Sequence, residues 1–170
     1  MLDPAPPEMG QLLERRKRLG LDGYDEVWEG VYHMAPMARS RHGYLQHQLT
    51  LILASYAEQA GLVGTGPFNL GDSDEDFRVP DLGYHRGIPD AEAVYLATAA
   101  VVVEIVSPGD ETYAKTPFYA AHGVDEMIVV EPDRRQVVVL ALAGDHYDQV
   151  EHSATLRAEA AAIGGAIRWP

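Results

Sequence analysis

Short apolar runs broken by glycine, proline and acidic turns make up most of the chain, and a few segments depart from that rhythm with a helical period. Leu45, Leu49, Ile52, Leu53 and Tyr56 recur at three- and four-residue steps, which lines them up on one stripe and predicts a main helix over residues 40–60. Ser40 stands where an N-cap is expected and Gly61 where the helix should stop. A shorter helix is expected from Glu8 to Leu19, with Leu12, Leu13 and Arg16 at helical spacing and Gly20 at its end. Val27 to Met34 alternates with period two and reads as one strand, Trp28, Tyr32 and Met34 facing one way and Val27, Glu29, Val31 and His33 the other.

Leu62 to Leu70 reads as a strand interrupted by glycines, and the acidic stretch 72–76 as a hairpin turn leading into Phe77-Arg78-Val79-Pro80-Asp81. That stretch lacks the glycine and the distal glutamate of an EF-hand loop, so a calcium site is not expected there. Residues 86–98 read as a loop in which Tyr95-Leu96 starts a short turn. The run from Val101 to Val106 fits a central strand covered on both faces. A turn at 107–110 and a helix to His122-Gly123 should follow, then paired strands over 127–130 and 136–142 and a last strand from Tyr147 to Glu151. This order predicts an α/β domain, a mixed β-sheet flanked by helices, spanning 1–170 with an N-terminal helical extension (1–22) and a C-terminal tail (152–170) of no assigned role.

Composition narrows the chemistry. The absence of cysteine excludes disulfides and thiolate metal sites, and the proline-rich start with no apolar core behind it does not read as a signal peptide. No apolar stretch is long enough to span a membrane, so a cytoplasmic protein is expected. Twenty-six acidic residues against thirteen basic ones give a net charge of −13, which repels a polyanion. Local basic groups stand at Arg15-Arg16-Lys17-Arg18, at Arg39 and Arg41, and at Arg134-Arg135.

Against that background two carboxylates stand out. Asp81 follows Pro80 at the edge of one apolar segment, and Glu104 follows three consecutive valines in another. A carboxylate buried on a strand is costly unless it is paired or holds a cation, and a pair of them suits a hard ion such as Mg²⁺ or Mn²⁺. The competing expectations are a turn aspartate at 81 and, at Glu104, a buried ion pair to Arg78. Lys115, one of only two lysines in the chain, follows eleven residues after Glu104.

The ordered set 25–36, Arg41-His42, Pro80-Asp81, Val103-Glu104-Ile105-Val106-Ser107-Pro108, Lys115 and 119–130 resembles the Uma2 (DUF820) family of restriction-endonuclease-like proteins, within the PD-(D/E)XK nuclease superfamily. The resemblance implies a restriction-endonuclease-like fold and metal-dependent phosphodiester hydrolysis, with DNA as the partner. It implies that Asp81 and Glu104 bind Mg²⁺ or Mn²⁺, helped by the carbonyl of Ile105, and that Lys115 stabilises developing charge. The superfamily's parent lysine position, two residues after the glutamate, is Val106 here, and Lys115 fits the variants whose lysine has moved to the following helix. Pro117 complicates this. With Thr116 as N-cap the helix would begin after Lys115, leaving the lysine on the turn. His42 and Glu29 fit auxiliary positions, and a two-fold homodimer is expected. The alternative, supported by the acidic charge, Val106 and Pro117, is a non-catalytic relative that uses the fold to bind nucleic acid or protein.

Overall fold

The computed structural model describes residues 7–170 apart from Met37 and Asp110. The proline-rich start, except its last residue, and the final residue of the turn expected at 107–110 therefore lie outside the described residues. The first helix, α1 (Pro7–Arg18), lies close to its expected bounds and is tied down by Arg16, whose guanidinium pairs with Asp25 and donates to the carbonyl of Ala35. The single strand expected over 27–34 is two strands, β1 (Glu26–Trp28) and β2 (Val31–His33), with Val27 opposite Tyr32. Glu29 and Gly30 make the two-residue turn between them, with φ of 50° and 80°. Such hairpin turns want positive φ at both central residues and usually announce themselves as Asn-Gly or Asp-Gly. Glutamate in the first place hid this one.

The main helix, α2 (Ser40–Ala60), ends on Gly61 in the left-handed conformation, as expected. Ser40 is its first helical residue; the N-cap position belongs to Arg39, and no side chain caps it. The strand expected over 62–70 is also divided, into β3 (Val63–Thr65) and the start of β4 (Asn69–Ser73), and the two halves join different sheets. The acidic residues turn β4 into β5 (Asp76–Arg78), and β6 (Leu82–His85) follows after Asp81. The expected loop contains β7 (Tyr95–Leu96), which pairs with β4, and β8 (Val101–Ile105) is the fully buried central strand. A 3-10 turn (Thr112–Lys115) runs into α3 (Thr116–Ala121), then come β9 (Glu126–Glu131), β10 (Gln136–Ala143) and β11 (His146–Val150). The expected tail is ordered as β12 (His152–Ser153), β13 (Ala158–Glu159) and α4 (Ala160–Ala166).

Six strands form the main sheet in the order β11-β10-β9-β8-β6-β3, with β8 and β9 parallel and the other pairs antiparallel. Side chains alternate along β8. Val101, Val103 and Ile105 pack with Leu45, Leu49 and Leu53 of α2 and Ile163 of α4, whereas Val102 packs with Met127, Val129 and the Phe118-Tyr119 pair of α3. By that period Glu104 lies on the α3 face with Val102. On this same side of the molecule lies the five-stranded sheet β2-β1-β5-β4-β7, whose Leu70 joins the second core.

Residues 152–170 belong to the structure that α2 covers. Leu156, Ala158, Ile163 and Ile167 are buried in the first core. The buried carboxylate of Glu126 accepts the Ser153 hydroxyl and the Thr155 N–H, and Gln48 of α2 exchanges two hydrogen bonds with the backbone of Arg168.

Candidate active site

Asp81 sits in the bend between β5 and β6, only 7% exposed. Its N–H donates to the carbonyl of Val103 at 3.0 Å, which fixes the bend against β8. The carboxylate is gripped from both sides. One oxygen accepts the Ile105 N–H at 2.8 Å, and the other lies 2.8 Å from Nε2 of His42 in the first turn of α2. One helical turn further on, Gln46 donates to the Asp81 carbonyl at 2.9 Å. Proline before Asp81 removes one backbone donor and fixes one dihedral, favouring a bend over continuation of the strand.

Glu104, 4% exposed, lies at the same strand end. Its Oε1 accepts the Tyr119 hydroxyl and the Lys115 ammonium, the latter at 3.1 Å. Lys115 donates a second, shorter bond of 2.8 Å to Oε1 of Glu26 on β1. Glu26 is in turn held by the Val79 N–H and the Trp28 indole N–H, each at 2.7 Å. The cluster therefore contains a third buried carboxylate, which joins the lysine to the backbone two residues before Asp81. The ion pair considered between Glu104 and Arg78 is not what forms. Arg78 donates to Asp76 and to the Val27 carbonyl, its guanidinium between the rings of Trp28 and Phe118 at 4.4 and 4.0 Å.

Charge in this cluster is unbalanced. Burial drives the Glu104 carboxyl up to about 7; Lys115 pulls it down, while the charges of Asp81 and Glu26 push it further up. Burial works against the Lys115 ammonium, but Glu104 and Glu26 outweigh it and raise its pKa. The Tyr119 phenol is held well above its ordinary value by burial and by Glu104, so it remains a donor.

Four of the five residues singled out in the sequence, Asp81, Glu104, Lys115 and His42, thus meet around the end of β8. Glu29 does not join them. It is exposed in the β1–β2 turn, where its N–H donates to Asp76 at 3.1 Å. Glu26, three residues earlier, reaches the cluster through Lys115 instead, and it shares with Trp28 the parity that the alternating pattern assigned to one face. Pro117 does start the helix at Thr116, and Lys115 does ride on the preceding turn, yet its side chain reaches the carboxylates. Val106, at the parent lysine position, packs against the second core.

The family model described as "Putative restriction endonuclease", Uma2, matches residues 22–165. The chain belongs to the Uma2 family. Its fold is also that of a solved structure from Anabaena variabilis described as "a putative nuclease belonging to DUF820", with 18% identity, a TM-score of 0.67, and coverage of 84% of this chain and 90% of that one. No curated protein matches the chain by sequence.

The fit of a divalent cation to this Uma2 site rests on the donor set. Asp81 and Glu104 offer carboxylate oxygens, which suit Mg²⁺ or Mn²⁺, and burial together with the charges of Asp81 and Glu26 disfavours the Glu104 anion, which such a cation would stabilise. Among the described residues no three histidine, aspartate or glutamate side chains form a closed metal cage. Two protein carboxylates with the remaining positions left to water and substrate is the way Mg²⁺ is commonly held.

Proposed function

We propose that this Uma2 protein hydrolyses phosphodiester bonds in DNA with the help of Mg²⁺ or Mn²⁺, at the end of β8. One observation carries the proposal: a buried aspartate, a buried glutamate and a lysine from three separate elements meet there, with the aspartate and glutamate already fixed by hydrogen bonds. Asp81 and Glu104 would hold the cation. When bound, it would lower the pKa of a water and neutralise charge on the phosphoryl group. A new P–O bond forms to the water oxygen, the bond to the leaving oxygen breaks, and the leaving oxygen takes up a proton.

The chain's own residues supply positioning and charge. His42 and the Ile105 N–H hold the Asp81 carboxylate in one orientation, and Tyr119 does the same for Glu104. Such preorganisation is what makes electrostatic stabilisation effective, because nothing need reorient during the reaction. Lys115, kept protonated by its two carboxylates, presents a positive charge where the phosphoryl group accumulates negative charge. The same reading includes a two-fold homodimer, which would set two such sites in fixed relation on a duplex.

The test is nicking of supercoiled plasmid in millimolar Mn²⁺, alongside calorimetric Mn²⁺ titration. Wild type should nick and bind. Glu104→Ala and Asp81→Ala should do neither while keeping a native circular-dichroism spectrum. Equal Mn²⁺ affinity in wild type and both variants would overturn the assignment of the metal ligands. Absence of both binding and nicking in wild type would favour the non-catalytic alternative.

A further inference from the structure

The Lys115 ammonium lies between two carboxylate oxygens, 2.8 Å from Glu26 and 3.1 Å from Glu104. The two seats differ in kind. Glu26 is held by fixed donors, since one oxygen takes the Val79 N–H as well as Lys115 and the other takes the Trp28 indole. Glu104 faces Asp81 as well as the lysine, and the charge of Asp81 adds to its own. Lysine carries its charge as a compact point at the end of a four-carbon stem, so a small swing moves the charge by ångströms. The stem starts where the 3-10 turn meets α3, beside both seats.

We propose that Lys115 is an internal counter-ion that holds the place of the divalent cation at Glu104 and withdraws onto Glu26 when the cation binds. The proposal rests on the metal-dependent reading above and adds to it a competition inside the chain. Two cations at the same Glu104 oxygen repel each other, so the lysine and the incoming ion compete there. Glu26 keeps the ammonium paired and inside the site during the exchange, which leaves it close to the position where phosphoryl charge develops. A lysine that only stabilised reacting phosphate would need no bond to Glu104 and no second carboxylate. In this arrangement Glu26 is a positioning residue that acts through Lys115.

The competition has a direct readout in binding. Mn²⁺ would be titrated calorimetrically into wild type, Lys115→Met, Lys115→Gln and Lys115→Arg, with melting temperatures measured in EDTA and in Mn²⁺. Removing the internal cation should tighten Mn²⁺ binding at least ~5-fold in the Met and Gln variants, the lower end of ordinary coupling between two ligands. Lys115→Arg, which keeps the charge, should bind as wild type does. Mn²⁺ should also raise the melting temperature of the Met and Gln variants more than that of wild type, because it replaces a missing counter-ion. A variant folded only in Mn²⁺ supports the proposal; one unfolded in both conditions counts against it. Unchanged or weaker binding in Met and Gln, beside normal wild-type binding, overturns the competition and leaves the metal site standing. No Mn²⁺ binding by any of the four proteins overturns both.

Discussion

Of the site residues named from the sequence, Glu104 is legible for a physical reason, as a charge after three consecutive valines where burial is costly without a partner. Asp81 follows a proline in a mixed segment, reads by itself as a turn aspartate, and is singled out by the ordered family motif. Glu26 gives no such signal, because it follows Asp25 and opens a strand only three residues long. Tyr119 was hidden by its chemistry, since a buried tyrosine in an apolar helix normally reads as core. Asp25 itself shows how a buried acid can be purely structural. It accepts Arg16 and the Tyr32 hydroxyl and takes the Ala35 N–H at 2.7 Å, so it pins α1 to the β1–β2 hairpin. Burial pushes its carboxyl up, but the hydrogen bonds from Arg16, Tyr32 and Ala35 together pull it below the usual 3.8. A depressed aspartate contributes stability that is present above the unfolded pKa and disappears as pH falls through the folded one. Melting temperatures of wild type and Asp25→Asn should therefore differ at pH 7 and converge as pH falls below 3.8. A gap independent of pH would mean that the charge of Asp25 does not hold the hairpin.

At the scale of elements, the main helix and the central strands were readable because each has a long, unambiguous period. The stripe Leu45, Leu49, Leu53 is fully buried, as is Val101 through Val103. Short elements were not readable, because two or three residues carry no period. The strands over 27–34 and 62–70 each split, one at a turn with glutamate in a left-handed conformation and the other where the chain passes between sheets. That conformation costs an ordinary residue roughly 1–2 kcal/mol, and asparagine tolerates it better. Glu29→Asn should raise the melting temperature by a few degrees and leave plasmid nicking unchanged, whereas a loss of nicking would restore Glu29 to the site. The C-terminal segment lacked a readable pattern because Ala160–Ala166 is built from alanine, glycine and a single isoleucine. That isoleucine, Ile163, is completely buried against α2 and the sheet. Ile163→Ala should cost about 2–5 kcal/mol in urea unfolding, as deletion of a buried aliphatic side chain does. A cost near zero would return residues 152–170 to the status of a tail.

At the scale of the whole molecule, the net charge of −13 and the proposed DNA substrate pull in opposite directions. Some basic groups are already engaged internally, Arg16 with Asp25 and Arg41 with Asp133 at 2.7 Å, so a single copy presents a weak positive field to a duplex. Among the described residues no helix is long and apolar enough to cross a membrane. Leu19, Leu21, Tyr24, Val31, Tyr32 and Met34 are all exposed, and they lie on α1's exit and on the β1–β2 hairpin that Arg16 and Asp25 bind together. Within this group β2 is an edge strand whose outer side pairs with no described strand of its sheet, and Val31 is 54% exposed on it. An exposed edge such as that at Val31 can pair with a second copy, and two-fold pairing is the commonest closed solution. Two copies joined there would bring two sites and both sets of Arg39 and Arg41 to one duplex. Light scattering at micromolar concentration should return twice the chain mass of 18.6 kDa for wild type and a single chain mass for Val31→Glu, with the fold of both intact by circular dichroism. A wild-type mass of one chain would remove the dimer, and a Val31→Glu protein that stays dimeric would move the interface away from β2.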